Sequence, residues 1–477
     1  VALIAVEIGS HIRLRENDLP NEIVEELKAA LSIPNEAKNQ ARKEKLADWF
    51  TMPDTIDLWR YDGLGRLVLP RGFKTNLEKG LKSTDYEIVW EDERSNVPMD
   101  EEFRNLLSPI ELREHQRPAI ESLLFHQQGI YEAPPGSGKT VTVLETIRCS
   151  GQRAIVLVDK SHLAEQWRGA AQQFLGVETG FIGDGVWDPG EITIALKQTL
   201  WSRRKELRAD GFFDEWGLVA YDECHHITAE TYQFVVQQFC PKYLIGVSAT
   251  PSRIPWTFPI ATGLLGPIVH KTLRETLQSR QILMRPKINV VRTNFSYDFK
   301  PTRMNKGGYR VGSNYPYMMK SLVEDNHRND QIADLIMSDL DRHTLVVSKR
   351  LNHFNIIKRK LLDREYPHEI LTMTGKENRE VRREIQEYAN NFPCVVLSTV
   401  ADEGVDIPRL DRIFLIWPTR NIAVVRQQIG RVERYVESKP VPLVYDIYDP
   451  RVSVLKRQFS DRCAGVYTAE DLELNYI

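Results

Sequence analysis

The 477-residue sequence predicts an α/β protein, with two parallel-sheet domains in tandem and a small N-terminal α+β domain. Three observations point there. From residue 109 onward, short apolar runs alternate with amphipathic helical stretches, which is the pattern of parallel strands covered by helices on both faces. The runs form two series, at 154–158, 192–195, 218–221 and 244–247, then at 344–348, 369–373, 394–398, 412–416 and 442–447. Residues 1–90 form a different compositional block. At about 150 residues per domain, the length suits roughly three domains.

In chain order, residues 4–15 read as a strand, and 20–31 as a helix with Ile23, Val24, Leu27 and Leu31 on one face. A second helix is expected over 35–50, carrying Lys38, Arg42 and Lys45 on one face before Trp49. Strands near 56–61 and 66–69, a helix near 73–81 and a strand at 86–90 complete this block. Residues 91–105 hold six acidic and two basic residues, which predicts a solvated linker. The expected domains are 1–90, a linker 91–108, then 109–262 and 263–455, with a C-terminal helix or tail over 456–477. Residues 293–326, with Gly307, Gly308, two prolines and several aromatics, read as a mobile connection.

Composition narrows the function classes. Nine Trp, 17 Tyr and 17 Phe with 42% apolar residues exclude dominant disorder. No apolar run approaches the roughly 18 residues of a membrane span, and the apolar start ends at Glu7, too soon for a signal peptide. Five cysteines lack CxxC spacing, so a reducing, intracellular compartment such as cytoplasm or nucleoid is expected. A net charge of −3 means that any nucleic-acid contact must come from local patches.

The sharpest motif is Ala133-Pro134-Pro135-Gly136-Ser137-Gly138-Lys139-Thr140, between an expected strand and an expected helix. Glycines at 136 and 138 let backbone N–H groups turn toward phosphate oxygens, and the helix N-terminus adds its dipole. Lys139 suits the β and γ phosphates, and the Thr140 hydroxyl suits Mg²⁺. A Gly-rich turn ahead of a lysine-bearing helix is the bland alternative. The second motif ends the apolar run 218–221 with Asp222-Glu223-Cys224-His225. A carboxylate at the C-terminal end of a parallel strand faces the ligand crevice. Asp222 suits a Mg²⁺ shell, and Glu223 suits activation of water. The rivals are a solvent-exposed turn, or Cys224, His225 and His226 as metal ligands, which lack a second ligand pair at zinc spacing.

Two such motifs in this order resemble those of superfamily 2 helicases and translocases, which implies two RecA-like domains. Further segments carry the resemblance over about 109–450. Arg113 and Gln116 sit in the adenine-recognising segment. Residues 156–161 through Gln166 and Trp167 resemble motif Ia, with Lys160 at its nucleic-acid contact. Gln198 and Thr199 lie in the segment after Ib. Ser248, Ala249 and Thr250 match motif III, the coupling element. Ser348, Lys349 and Arg350 stand at motif IV, Thr374 and Gly375 at IVa, and Thr399, Gly404 and Asp406 in motif V. Gln427, Arg431 and Arg434 belong to motif VI, in which Gln428 replaces a common Arg.

The resemblance implies ATP and Mg²⁺ as cofactors, bound by Arg113, Gln116, 135–140, Gly404 and Asp406. It implies catalysis by Lys139, Asp222, Glu223, Gln427, Arg431 and Arg434, the two arginines coming from the opposite domain. Lys160, Gln198, Thr199, Ser348–Arg350, Thr374, Gly375 and Thr399 become the nucleic-acid contacts. Residues 341–364 carry seven Lys or Arg against two Asp, a local density suited to a phosphate backbone; a solvated helix face explains 358–360 equally well. Lys300, Arg303, Lys306 and Arg310, interleaved with Phe299 and Tyr309, are a second such loop. Residues 58–72 resemble the N-terminal DNA-binding domain of UvsW-type helicases, and the layout also resembles XPB-type translocases. After Thr250 no Arg-Glu-Asp triplet occurs, so XPB-specific behaviour is not carried over.

The expectation is therefore a monomeric ATP-dependent DNA helicase or translocase, tracking 3′ to 5′ and remodelling duplex or branched DNA. The alternatives are an RNA-dependent ATPase, a motor subunit that positions a partner nuclease or primase, and a DNA-binding scaffold with a silent ATP site.

Overall fold

The computed structural model describes residues 2–44, 49–82, 86–252, 255–299, 302–303, 309–310, 315–400 and 405–477. They form two compact units. One comprises Val1–Pro134 and Gly138–Leu273, the other Pro135–Ser137 and Arg274–Ile477.

The first unit is built on an eight-stranded sheet. Its order is Val186–Asp188, Gly180–Gly183, Ile192–Leu196, Ala154–Val158, Leu218–Asp222, Tyr243–Ser248, Gln128–Glu132 and Ile268–Lys271. All neighbours are parallel except the Val186–Asp188 edge. Ala154–Val158 is buried at every position, because helices cover both faces and neither needs a polar side. Two apolar layers result, one around Trp216, Phe213 and Phe239, the other around Val143, Ile147 and Trp167.

The second unit repeats this plan with seven parallel strands. Their order is Ile370–Met373, Cys394–Ser398, His343–Val347, Arg412–Leu415, Leu443–Tyr448, Lys287–Arg292 and Leu474–Tyr476. Two buried layers again flank the sheet.

The structure corrects several expectations. Residues 4–15 are two strands, Ala2–Ile8 and His11–Leu14, folded back at Gly9 and Ser10. Strand Ile268–Lys271 pairs with Gln128–Glu132, so the first sheet extends past residue 262. Its short mixed sequence, ending in His270 and Lys271, concealed it. Most side chains of the 91–105 stretch are exposed, as expected, but its backbone is pinned. Ser95 N donates to Cys240 O at 2.7 Å, Lys242 N to Ser95 O at 2.9 Å and Arg153 N to Val97 O at 2.8 Å, while Met99 is buried. Half of its acids belong to an Asp100-capped helix, Glu101–Leu106, where Glu101 and Glu102 stand in the favourable first turn; Glu91 and Asp92 end the strand Tyr86–Asp92. Within 293–326, residues Tyr315–Glu324 form a helix that buries Met318, Met319, Leu322 and Val323. Lys300, Lys306, Gly307 and Gly308 lie outside the described residues. The C-terminal segment, expected as a helix or tail, holds the helix Ser453–Arg462 and also supplies Leu474–Tyr476, an edge strand beside Lys287–Arg292.

The N-terminal block carries its own sheet, in the order Arg60–Tyr61, Leu67–Pro70, His11–Leu14, Ala2–Ile8 and Tyr86–Asp92. It docks within the first unit. Arg71 Nε donates to Gln128 Oε1 at 2.7 Å and Gln128 Nε2 returns a bond to Arg71 O at 3.0 Å, both buried. Gly72 lies so close to the backbone of Thr262, Gly263 and Gly266 that any Cβ would collide with it. The expected basic helix face is partly spent: Lys38 pairs with Asp54 at 2.8 Å, and Arg42 lies over Trp49. Lys45 is outside the described residues.

Candidate active site

Parallel strands all end at one edge of their sheet, so the segments leaving those ends line that edge together. In the first unit, Gln128–Glu132 runs into the glycine loop and the helix Lys139–Ser150. Ala154–Val158 leads to Asp159 and Lys160, Ile192–Leu196 to Gln198 and Thr199, Leu218–Asp222 to Glu223, and Tyr243–Ser248 to Ala249 and Thr250. Every candidate that the sequence placed on this unit's strand ends thus shares one edge.

The loop has the backbone that its glycines predict. Gly136 has φ 79° and Gly138 φ 84°, left-handed values that disfavour any Cβ. A Cβ at Gly138 would also strike the Gln116 amide. Gln116 is buried; its Oε1 accepts from Arg113 N at 2.8 Å, and its Nε2 donates to Gly138 O at 3.3 Å. The Lys139 ammonium folds back onto Ala133 O at 3.2 Å and Pro134 O at 3.3 Å. Thr140 stands in the first turn of the helix. Arg113 is exposed.

Asp222 Oδ2 accepts from Trp167 Nε1 at 2.8 Å, and Oδ1 from Glu223 N at 2.9 Å. Burial, then the Glu223 charge, push its carboxyl up to about 6, against the pull of Trp167 and Lys139. A carboxylate held at this cost, with lone pairs left over on both oxygens, fits a cation ligand. Glu223 sits at φ 47°, a strained conformation for a side chain of this size. Ser248 Oγ donates to Glu223 Oε2 at 3.2 Å, lies 3.0 Å from His225 Nδ1 and accepts from Thr250 N at 3.1 Å. The carboxylate is therefore wired directly into the Ser-Ala-Thr segment. His225, weighed as a metal ligand in the sequence, is instead part of this hydrogen-bonded link. Trp167 was visible as part of a motif, yet its bond to a residue 55 positions away had no local signal.

The second unit places its candidates along the matching edge of its own sheet. Lys349 and Arg350 come directly after His343–Val347 and Ser348 and are exposed. Ser348, expected to touch nucleic acid, is fully buried; its Oγ lies 3.1 Å from His353 Nδ1 and accepts from Arg350 N at 3.3 Å. That hydroxyl orients the turn and is not on the surface. Thr374 N and Gly375 N each donate at 2.8 Å to the Glu377 carboxylate, and Thr374 Oγ1 at 2.6 Å. Glu377 thus accepts from three donors of this turn and fixes its shape. Thr399 Oγ1 donates to Thr374 O at 3.0 Å, joining these two segments. Lys360 of the 358–360 cluster is paired with Asp330 at 2.9 Å.

Gln427 is 3% exposed, and neither polar atom of its amide has a hydrogen-bond partner among the described residues. Arg431 Nη1 donates to Val405 O at 3.0 Å, and Arg434 is ion-paired with Asp406. Gly404 lies outside the described residues. Glu433 turns inward and pairs with Arg274. Lys439, which sequence reasoning missed, is buried and donates to Pro408 O at 3.0 Å, Val432 O at 2.8 Å and Arg434 O at 2.8 Å.

Two RecA-like domains in tandem, the first with a phosphate loop and an Asp-Glu strand end, define a nucleoside-triphosphate-driven motor. Residues 109–253 match the family described as "Type III restriction enzyme, res subunit", and 327–436 match "Helicase conserved C-terminal domain". "DNA 3'-5' translocase XPB2" of Sulfurisphaera tokodaii is 25% identical over 358 residues, 70% of this chain and 80% of that one. Two solved structures share the fold. "S. cerevisiae Dbp5 bound to RNA and ADP BeF3" has TM-score 0.55 and 14% identity, covering 78% of this chain and 90% of that one. "ATP-dependent Type ISP restriction-modification enzyme LlaBIII bound to DNA" has TM-score 0.57 and 13% identity, covering 84% and 34%. The chain carries both of these helicase domains, resembles superfamily 2 helicases, and is an enzyme that uses ATP and binds nucleic acid. No helix among the described residues is long and apolar enough to cross a membrane.

Proposed function

We propose that the chain is a DNA translocase that couples Mg²⁺-dependent ATP hydrolysis to 3′-to-5′ movement and remodels duplex or branched DNA. One observation carries the motor assignment: Lys139, Asp222 and Glu223 share a sheet edge at which Glu223 is hydrogen-bonded to the coupling serine, Ser248. The XPB2 relative, matched over most of both chains, supports DNA and the polarity.

In this reading residues 135–140 and Lys139 hold the triphosphate, with Arg113 and Gln116 beside the adenine. Thr140 and Asp222 hold Mg²⁺, which neutralises phosphate charge when bound. Glu223 orients and deprotonates the attacking water. Arg431 and Arg434 add positive charge as the γ phosphate departs, Gln427 contacts the nucleotide or water, and Asp406 steadies Arg434. Lys160, Gln198, Thr199, Lys349, Arg350, Thr374, Gly375 and Thr399 touch the strand. Contacts to the phosphate backbone suit a motor that must step along any sequence.

ATPase activity titrated in parallel with single-stranded DNA, duplex DNA, forked DNA and RNA tests the proposal. Strongest stimulation by DNA is expected. Strongest stimulation by RNA would replace it with an RNA-dependent ATPase. Weak stimulation by all four would favour a motor that acts through a partner such as a nuclease.

A further inference from the structure

The helix Tyr315–Glu324 brings an aromatic side chain next to the basic strand end of the second unit. Its inner face is fixed: Met318, Met319 and Leu322 pack with Phe295, Val452 and Leu455. Its outer face carries Tyr317, 67% exposed, with Lys320 three positions on and hence on the same side. Opposite stand Arg350 and Asn352, at the start of the helix Leu351–Leu362. Between the two helices lies a cleft of about 330 Å³, lined by Pro316, Tyr317, Lys320, Glu324, Arg350 and Asn352, with Met319 and Val323 at its base.

Among the described residues, the side chains of Tyr317, Lys320 and Arg350 make no hydrogen bond or ion pair within the chain. This is unlike Lys360 and Arg364 nearby, both of which pair with Asp330. An apolar floor, an exposed aromatic face and two uncommitted cations at the rim match one ligand chemistry: a flat base with anionic phosphates on either side. The cations outnumber the single carboxylate, Glu324, which argues against a basic peptide as occupant.

We propose that this cleft binds one nucleotide of a single nucleic-acid strand, with its base stacked on Tyr317 and its flanking phosphates held by Lys320 and Arg350. The proposal rests on the reading of the chain as a nucleic-acid motor and adds a stacking site to contacts so far confined to phosphates. Stacking tolerates any base, so it grips a strand without fixing its sequence.

The test uses the full chain and fluorescent single-stranded oligonucleotides, one of them abasic over its central positions. Tyr317→Ala is expected to weaken binding of the normal strand by about 5- to 150-fold, the range for one lost stacking contact. Tyr317→Phe retains the affinity to within about twofold, since the ring remains. The wild-type preference for the normal strand over the abasic strand shrinks in Tyr317→Ala. Lys320→Ala lowers the slope of log affinity against log salt by about one phosphate contact. Equal affinity of wild type and Tyr317→Ala for both strands, in DNA and in RNA, overturns the subsite while leaving the motor assignment standing. If wild type binds no strand and none stimulates its ATPase, both readings fall together.

Discussion

The indole Nε1 of Trp167 lies 2.8 Å from Asp222 Oδ2, so a residue on the helix after one strand holds the carboxylate at the end of its neighbour in the sheet. Removing the donor while keeping an aromatic body is the clean perturbation. Trp167→Phe is expected to raise the Mg²⁺ concentration for half-maximal ATPase by about 10- to 150-fold, the worth of one hydrogen bond to a charged group. A Mg²⁺ titration of turnover at saturating nucleotide checks it. An unchanged midpoint would mean that Trp167 only packs.

Lys139 and Arg434 should fail differently. Lys139→Ala is expected to abolish ATP hydrolysis and leave nucleic-acid binding. Arg434→Ala should lower kcat by about 10³- to 10⁵-fold with a much smaller change in nucleotide affinity, if its charge acts as proposed on the departing γ phosphate. Steady-state kinetics with nucleotide binding measured separately distinguish the two.

Ser248 links Glu223, His225 and Thr250 through one hydroxyl. Ser248→Ala breaks all three bonds in a fully buried place. The ratio of nucleic-acid-stimulated to unstimulated ATPase should fall by about 5- to 150-fold, the usual span of a coupling energy, while the KM for ATP moves less than about twofold. A preserved ratio would show that coupling runs elsewhere.

The burial of Lys439 predicts a pH-dependent stability. Burial pushes its ammonium down to about 7 from 10.5, with Asp411 and Glu433 opposing and Arg434 reinforcing the shift. Between those values the unfolded chain holds a proton that the folded chain has released, so stability rises with pH across this window. Below pH 7 both states are protonated and the contribution is flat. Lys439→Met should therefore remove up to about 1.4 kcal/mol per pH unit of that rise. Unfolding midpoints of both proteins, measured from near neutral pH up to mildly alkaline pH, should diverge steadily; a constant difference would refute the shift.

Gly72 tests the docking of the N-terminal block. Gly72→Ala forces a Cβ against the backbone of Thr262, Gly263 and Gly266, and overpacking of this kind costs about 1–3 kcal/mol or more. A drop of several degrees in the unfolding midpoint is expected. An unshifted midpoint would show that the block can move away freely.

Much of this protein was legible without coordinates because the decisive signals are local. Runs such as 154–158 and 394–398 are continuous apolar stretches, as expected of strands buried on both faces. The glycine loop and the Asp222-Glu223 pair are contiguous, so their chemistry could be read in a few residues. Strand Ile268–Lys271 and the terminal Leu474–Tyr476 were not legible, because edge strands are short and need no apolar alternation.

The tertiary structure alone decided the relationships across distance. Trp167 meets Asp222, Gln116 meets Gly138, and Lys439 ties Pro408 to Val432 and Arg434. It also turned Ser348 inward, gave the Thr374 and Gly375 amides to Glu377, and set Tyr317 beside Arg350. Composition determines which groups are available for such chemistry. Which of them are spent on internal hydrogen bonds and which are left facing outward depends on chain segments meeting after folding, and no local pattern encodes that.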